Sequence, residues 1–98
     1  MMNYQGQKVI IRSDRAGVFF GEIAEKSGQN IVMKNVRRLW WWDGACSISQ
    51  LALDGTTAPK ECKFTVTVDS IEFFDVVEII PCTKKAVESI DGVDVWKR

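Results

Sequence analysis

Ile31-Val32-Met33-Lys34-Asn35-Val36-Arg37-Arg38-Leu39-Trp40-Trp41-Trp42 runs straight into Asp43-Gly44-Ala45-Cys46-Ser47-Ile48-Ser49-Gln50. The first part is β-branched and aromatic and contains no proline, so it reads as one long strand with length enough to bend or bulge. Asp43–Cys46 ends that strand. Ser47–Gln50 matches an S-x-x-Q capping box, in which the serine hydroxyl accepts from the Gln50 amide and the glutamine side chain reaches back. The pattern predicts a short helix from Ile48 to about Leu53, closed near Asp54-Gly55. A long strand feeding a capped helix is the junction that sets the class as α+β.

Upstream, Ser27-Gly28-Gln29-Asn30 is a hairpin turn signal, which makes Val18–Glu25 the preceding strand. Asp14–Gly17 separates that strand from a first one over Lys8–Arg12, a short apolar run rich in β-branched residues. Downstream, Thr56–Lys60 reads as an exposed loop. Lys63–Val68 alternates, with Phe64, Val66 and Val68 on one face, as in a half-buried strand. Ile71–Ile80 reads as a last long strand whose alternation breaks at Phe73-Phe74, where a bulge is expected, and Pro81 stops it. Thr83 N-caps a helix to about Ile90 with Ala86, Val87 and Ile90 on one face and Gly92 at its end. Val93–Trp96 is read as a short closing strand. The expected architecture is a single domain, residues 1–98: an α+β fold with a mostly antiparallel curved sheet or small open barrel of five to six strands, one short and one modest helix.

Composition narrows the function. The chain has 98 residues, 46% of them hydrophobic, enough for one core. It has no apolar run long enough to span a membrane, and Met1–Gly6 lacks the apolar stretch of a leader. A cytoplasmic protein is expected. Three cysteines, Cys46, Cys62 and Cys82, are odd in number and widely spaced, as suits small buried hydrophobes rather than a disulfide framework or a zinc cage. Thirteen basic and thirteen acidic residues cancel, which argues against a long nucleic acid as the main partner and leaves a small anion open. Histidine is absent, removing the commonest general base and the commonest transition-metal ligand. Phosphate-loop, dinucleotide and nucleophile-elbow spacings are absent too. The expectation is a non-enzymatic protein with no cofactor, no metal and no catalytic residues.

The Arg37–Gln50 block carries whatever chemistry the sequence shows. Strand alternation puts Arg38, Trp40 and Trp42 on one face and Arg37, Leu39 and Trp41 on the other. Three consecutive indoles, each with about 150–250 Å² to hide, cannot all enter one core. Trp41 is therefore assigned to the core with Leu39, and Trp40 and Trp42 to contact. On a structural reading those two pack under the Ile48–Leu53 helix. On a functional one the block holds the parts of a nucleotide-phosphate pocket. Arg37 or Arg38 would fork a phosphate, and Trp40 or Trp42 would stack on a base. Gly44 and the helix start would offer amides to the anion, with Ser47, Ser49 and Gln50 supplying edge contacts. Lys84 and Lys85, in the first turn of the last helix, and Arg12 and Arg15, flanking the first turn, are weaker anion candidates.

With those residues in view, the chain resembles a small family of phage- and prophage-encoded proteins without an established activity. The matching pieces are Val9–Arg12 (V-I-I-R), Ala16–Gly21 (A-G-V-F-F-G), Arg37–Ala52 (R-R-L-W-x-W-x-G-A-x-S-I-S-Q-L-A), Cys62–Phe64, Val77–Thr83 and Val93–Lys97. They cover nearly the whole chain. The resemblance implies a phage accessory protein acting in the cytoplasm of the infected host cell, a kind that often blunts bacterial immunity. The leading expectation is accordingly a homo-oligomeric sponge that sequesters a small nucleotide signal such as a cyclic dinucleotide. The alternatives are a protein-binding inhibitor of a host defence nuclease or CRISPR effector, and a structural homo-oligomer closed by its tryptophans.

Overall fold

The computed structural model describes Tyr4 and residues 6–97; Met1–Asn3 and Gln5, within the segment read as too polar for a leader, lie outside the described residues. The chain runs β1 (Lys8–Ser13), β2 (Gly17–Ser27), β3 (Asn30–Trp41), α1 (Ile48–Asp54), a 3-10 turn (Pro59–Glu61), β4 (Lys63–Phe64), β5 (Val68–Phe73), β6 (Val76–Pro81) and α2 (Lys84–Asp91). All six strands form one antiparallel sheet, curved and open, with two helices: the α+β class expected. β1, β2 and β3 make a meander, β6 adds beside β1, and β4 and β5 share the far edge of β3. Two residues, Phe74 and Asp75, link β5 at one edge to β6 at the other, so the sheet must curl to bring its edges together.

The central strands are buried on both faces, which explains why their sequences read as continuous apolar runs. Val9, Ile11, Phe19, Ile23, Ile31, Met33, Val36, Phe73 and Val76 fill the inside of the curl. Ile10, Phe20 and Leu39 face the other way, against Leu51, Ala52, Cys62, Phe64, Ile90 and Val93 beneath the two helices. The helices end close to where their capping residues place them. The Ser47 hydroxyl accepts from the Gln50 amide and the Thr83 hydroxyl from that of Ala86.

Three boundaries differ from the sequence reading. Lys63–Val68 is not one strand: only Lys63 and Phe64 pair with β3 before the chain leaves the ladder, and Val66 is 58% exposed rather than sharing Phe64's buried face. Ile71–Ile80 is two strands, not one bulged strand, because its halves lie along β3 and β1 respectively. The break at Phe74-Asp75 is stapled by Asp75, whose carboxylate accepts from the Ser13 hydroxyl at 2.5 Å and the Arg15 amide at 3.0 Å. The closing strand over Val93–Trp96 reduces to a single parallel bridge, Val95 beside Phe64.

Candidate binding surface

Two bulges in β3 decide where the Arg37–Trp42 side chains go. Phe20 pairs with Arg37 and Glu22 with Lys34, so Asn35 and Val36 together oppose Gly21. Asn35 takes a positive φ of 51°, which asparagine tolerates better than other side-chain-bearing residues. Gly21 fits beneath, since a Cβ there would meet the Val36 Cα at 2.9 Å. The extra residue reverses strand parity. Met33 and Val36 both point into the curl, and Arg37 and Leu39 turn to the helix side. A second irregularity, between Leu39 and Trp41 opposite Phe64 and Lys63, reverses parity again.

Arg37 is thereby carried inside. It is 4% exposed, and its guanidinium donates to four carbonyls at 3.0–3.2 Å: Phe64, Thr65, Ile90 and Val93. Burial lowers its pKa from the usual guanidinium value, and the negative charge of Asp91 opposes that shift. The helix C-terminus supplying Ile90's carbonyl also favours a cation. With four of its five N–H donors on backbone carbonyls, Arg37 braces the fold from inside instead of presenting its fork at the surface as an anion ligand would. Trp41, expected in the core with Leu39, is instead 52% exposed beyond the second bulge, while Trp42, expected in contact, packs against the helix-side core.

The remaining parts of the expected pocket separate. Arg38, Trp40 and Trp42 do share one groove of about 300 Å³, lined also by Ala16, Gly17, Val18 and Leu39. The Arg38 guanidinium lies 4.7 Å from the Phe19 ring centroid, and among the described residues it has no carboxylate within ion-pair distance. Gly44, Ser47, Ser49 and Gln50 do not line that groove. Gly44 sits at φ 79° against Thr56–Ala58, where a Cβ would meet the Ala58 nitrogen at 2.5 Å, and its carbonyl accepts from the Thr57 amide. Ser47 is taken up by its own helix cap, and the Gln50 side chain accepts from the Cys46 amide at 2.9 Å. Ser49 is exposed on a helix of only seven residues. The phosphate seat proposed for the capping box is thus an ordinary helix start. Of the weaker anion candidates, Arg12 pairs with Glu78 at 3.1 Å and Lys85 lies 4.0 Å from Asp54.

Sequence reasoning missed two members of the surface. Trp96 stacks on Trp40 with ring centroids 5.4 Å apart and planes 19° from parallel, and the Lys63 ammonium lies 5.5 Å from both rings. The available signal was that Trp96 is the one tryptophan outside the consecutive three. Trp40 remains 56% exposed despite this stack. The result is a ridge of Trp40 and Trp96 with Lys63 beside both rings and Arg38 in the adjoining groove; Trp41, also exposed, follows Trp40 along the strand. A larger depression, about 550 Å³, lies over Asp14–Ala16 and Glu72–Asp75, but its Asp75 carboxylate already braces the β1–β2 turn. Among the described residues no three metal-ligating side chains gather, and no helix is long and apolar enough to cross a membrane.

Compared with known proteins, residues 6–90 match a family described as a domain of unknown function, DUF6948. No curated protein and no solved structure matches.

Proposed function

The chain belongs to the DUF6948 family, and we propose that it is a non-enzymatic binding module whose ridge of Trp40, Trp41 and Arg38 engages a protein partner. One observation carries this reading: Trp40, 56% exposed, shares a groove with Arg38, which has no ion-pair partner among the described residues, and the next residue, Trp41, is itself 52% exposed. Leaving about half of an indole in water forgoes roughly 2–3 kcal/mol per ring, which a partner surface would recover. Tryptophan and arginine are also the residues that most often dominate protein interfaces. The resemblance to phage-encoded proteins makes a component of bacterial defence, such as a nuclease or CRISPR effector, the class of partner to test.

The test is affinity capture from host lysate with the chain and with Trp41→Ala and Arg38→Ala. We expect a retained host protein whose affinity falls by more than about 2 kcal/mol, roughly 30-fold, in either variant, with both variants still folded by circular dichroism. Retention that ignores both substitutions would refute the assignment.

A second reading has its own support, because Arg38, Trp40 and Trp42 do line one groove. At about 300 Å³, it stands at the lower end of the roughly 300–1,000 Å³ usual for small-molecule sites. A sponge for a cyclic nucleotide would use Arg38 on phosphate and a tryptophan face on a base. Calorimetry against cyclic di- and trinucleotides and ADP-ribose derivatives, at concentrations on the order of tens of micromolar, decides it: no heat there ends this reading.

A further inference from the structure

The ridge is completed by a segment that is thinly attached. The chain is anchored as far as Val93, which is buried and whose carbonyl accepts from Arg37 at 3.0 Å. Beyond it, Asp94, Val95 and Lys97 are exposed. One backbone feature holds this stretch to the sheet: the parallel bridge of Val95 with Phe64, in which the Trp96 amide donates to the Phe64 carbonyl at 2.9 Å. The indole of Trp96, stacked on Trp40 under Lys63, is the second attachment. An open groove of about 460 Å³ runs along it, lined by Pro59, Lys60, Cys62, Gly92, Asp94, Val95 and Trp96.

This arrangement is strand addition carried out within one chain. The edge of β4 that faces away from β3 accepts an extended segment in parallel, and a neighbouring aromatic platform takes its tryptophan. Few contacts hold it, so its opening free energy belongs at the low end of the range a folded domain spans. Resting on the reading of the ridge as a protein-contact surface, we propose that Asp94–Lys97 is an exchangeable strap. It occupies, in the free protein, the seat of an extended partner strand that presents an aromatic side chain to Trp40 and Lys63. The strap itself specifies the partner's chemistry: an apolar residue beside Phe64, followed by a large aromatic one. Displacing it would also free the Trp40 ring face that Trp96 covers, enlarging the contact surface as the partner docks.

Two measurements test this, and neither needs the natural partner. In native-state hydrogen exchange of the unaltered chain, the Trp96 amide should be protected about 100-fold less than the amides of the β1–β3 ladder. Equal protection of Trp96 and the ladder overturns the proposal. In the second, isotope-labelled full-length Trp96→Ala is titrated with the peptide Gly-Val-Asp-Val-Trp-Lys-Arg. Amide shifts are expected at Lys63 and Phe64 and an indole shift at Trp40. Affinity should be about tenfold tighter than for the unaltered chain, whose strap competes for the seat. The same peptide with alanine for tryptophan should leave those signals in place. A folded Trp96→Ala chain showing no shift at Lys63, Phe64 or Trp40 overturns the proposal, and the exchange measurement decides the matter should that variant unfold. Failure here leaves the Trp41 and Arg38 capture test standing, and failure there leaves the strap's exchange behaviour intact.

Discussion

Arg37 shows how a single residue can be misassigned by its neighbours. Beside Arg38 and ahead of three tryptophans it reads as a ligand group, yet its guanidinium binds strand ends and a helix end together from inside. Its replacement by methionine keeps the stem but strips the Val93 and Thr65 carbonyls of their side-chain partner, and about 2–4 kcal/mol of stability should go with it. Arg37→Lys should also destabilise, since one ammonium cannot span the positions that a planar fork reaches. Urea unfolding of both variants checks this, and a change under about 0.5 kcal/mol in each would return Arg37 to the surface. Cys82 gives a second prediction. Burial pushes its thiol from 9.0 up to about 12, against a smaller opposing contribution from a backbone hydrogen bond involving Ile10. Between those values the unfolded thiol ionises while the folded one stays protonated, so the native state holds more protons and stability falls as pH rises. The stability difference between the unaltered chain and Cys82→Ala should therefore be constant below pH 9 and shift against the unaltered chain through the window up to 12. Parallel pH profiles for the two proteins would contradict it.

At the scale of elements, the decisive features are the two irregularities of β3. The one at Asn35 turns Arg37 inward, and the one at Trp40-Trp41 turns Trp41 out and Trp42 in. Asn35→Val forces a β-branched side chain to a φ of 51°, which should cost about 1–3 kcal/mol. Asn35→Gly should be close to neutral, because the bulge then keeps a residue suited to its backbone. Thermal melts of the pair separate a required bulge from an incidental one, and equal losses in both would rule out the backbone explanation. The same irregularities explain what the sequence could tell. The capped helices were readable because Ser47 and Thr83 act through bonds to residues three positions away. The hairpin and the apolar runs of β1 and β2 were readable for similar local reasons. The facing of Arg37–Trp42 was not, since it depends on which residue of β3 is left unopposed by β2 and by β4. The split of Ile71–Ile80 was equally hidden, because Phe74-Asp75 turn only to suit two distant strands.

The whole molecule is organised by a sheet whose central strands serve two cores at once. Ile10 and Ile11 are neighbours in β1, both fully buried, yet Ile11 fills the inside of the curl while Ile10 lies under the helices. Were the two cores independent, emptying one would leave the other folded, and different probes would report different transitions. Their common wall is β1–β3, so neither core can lose its packing without loosening the strands that back the other. Ile10→Ala and Ile11→Ala should each cost about 2–5 kcal/mol, a large part of the roughly 5–15 kcal/mol of a small domain. Far-ultraviolet circular dichroism follows the backbone, and indole fluorescence follows the tryptophans gathered at the β3–β4 end. Their unfolding curves should coincide in both variants, as cooperative unfolding requires. A fluorescence transition running ahead of the backbone in Ile10→Ala but not in Ile11→Ala would show that the helix-side core, with its Trp42, can melt alone. The tryptophan ridge would then stand on a separable layer rather than on the sheet.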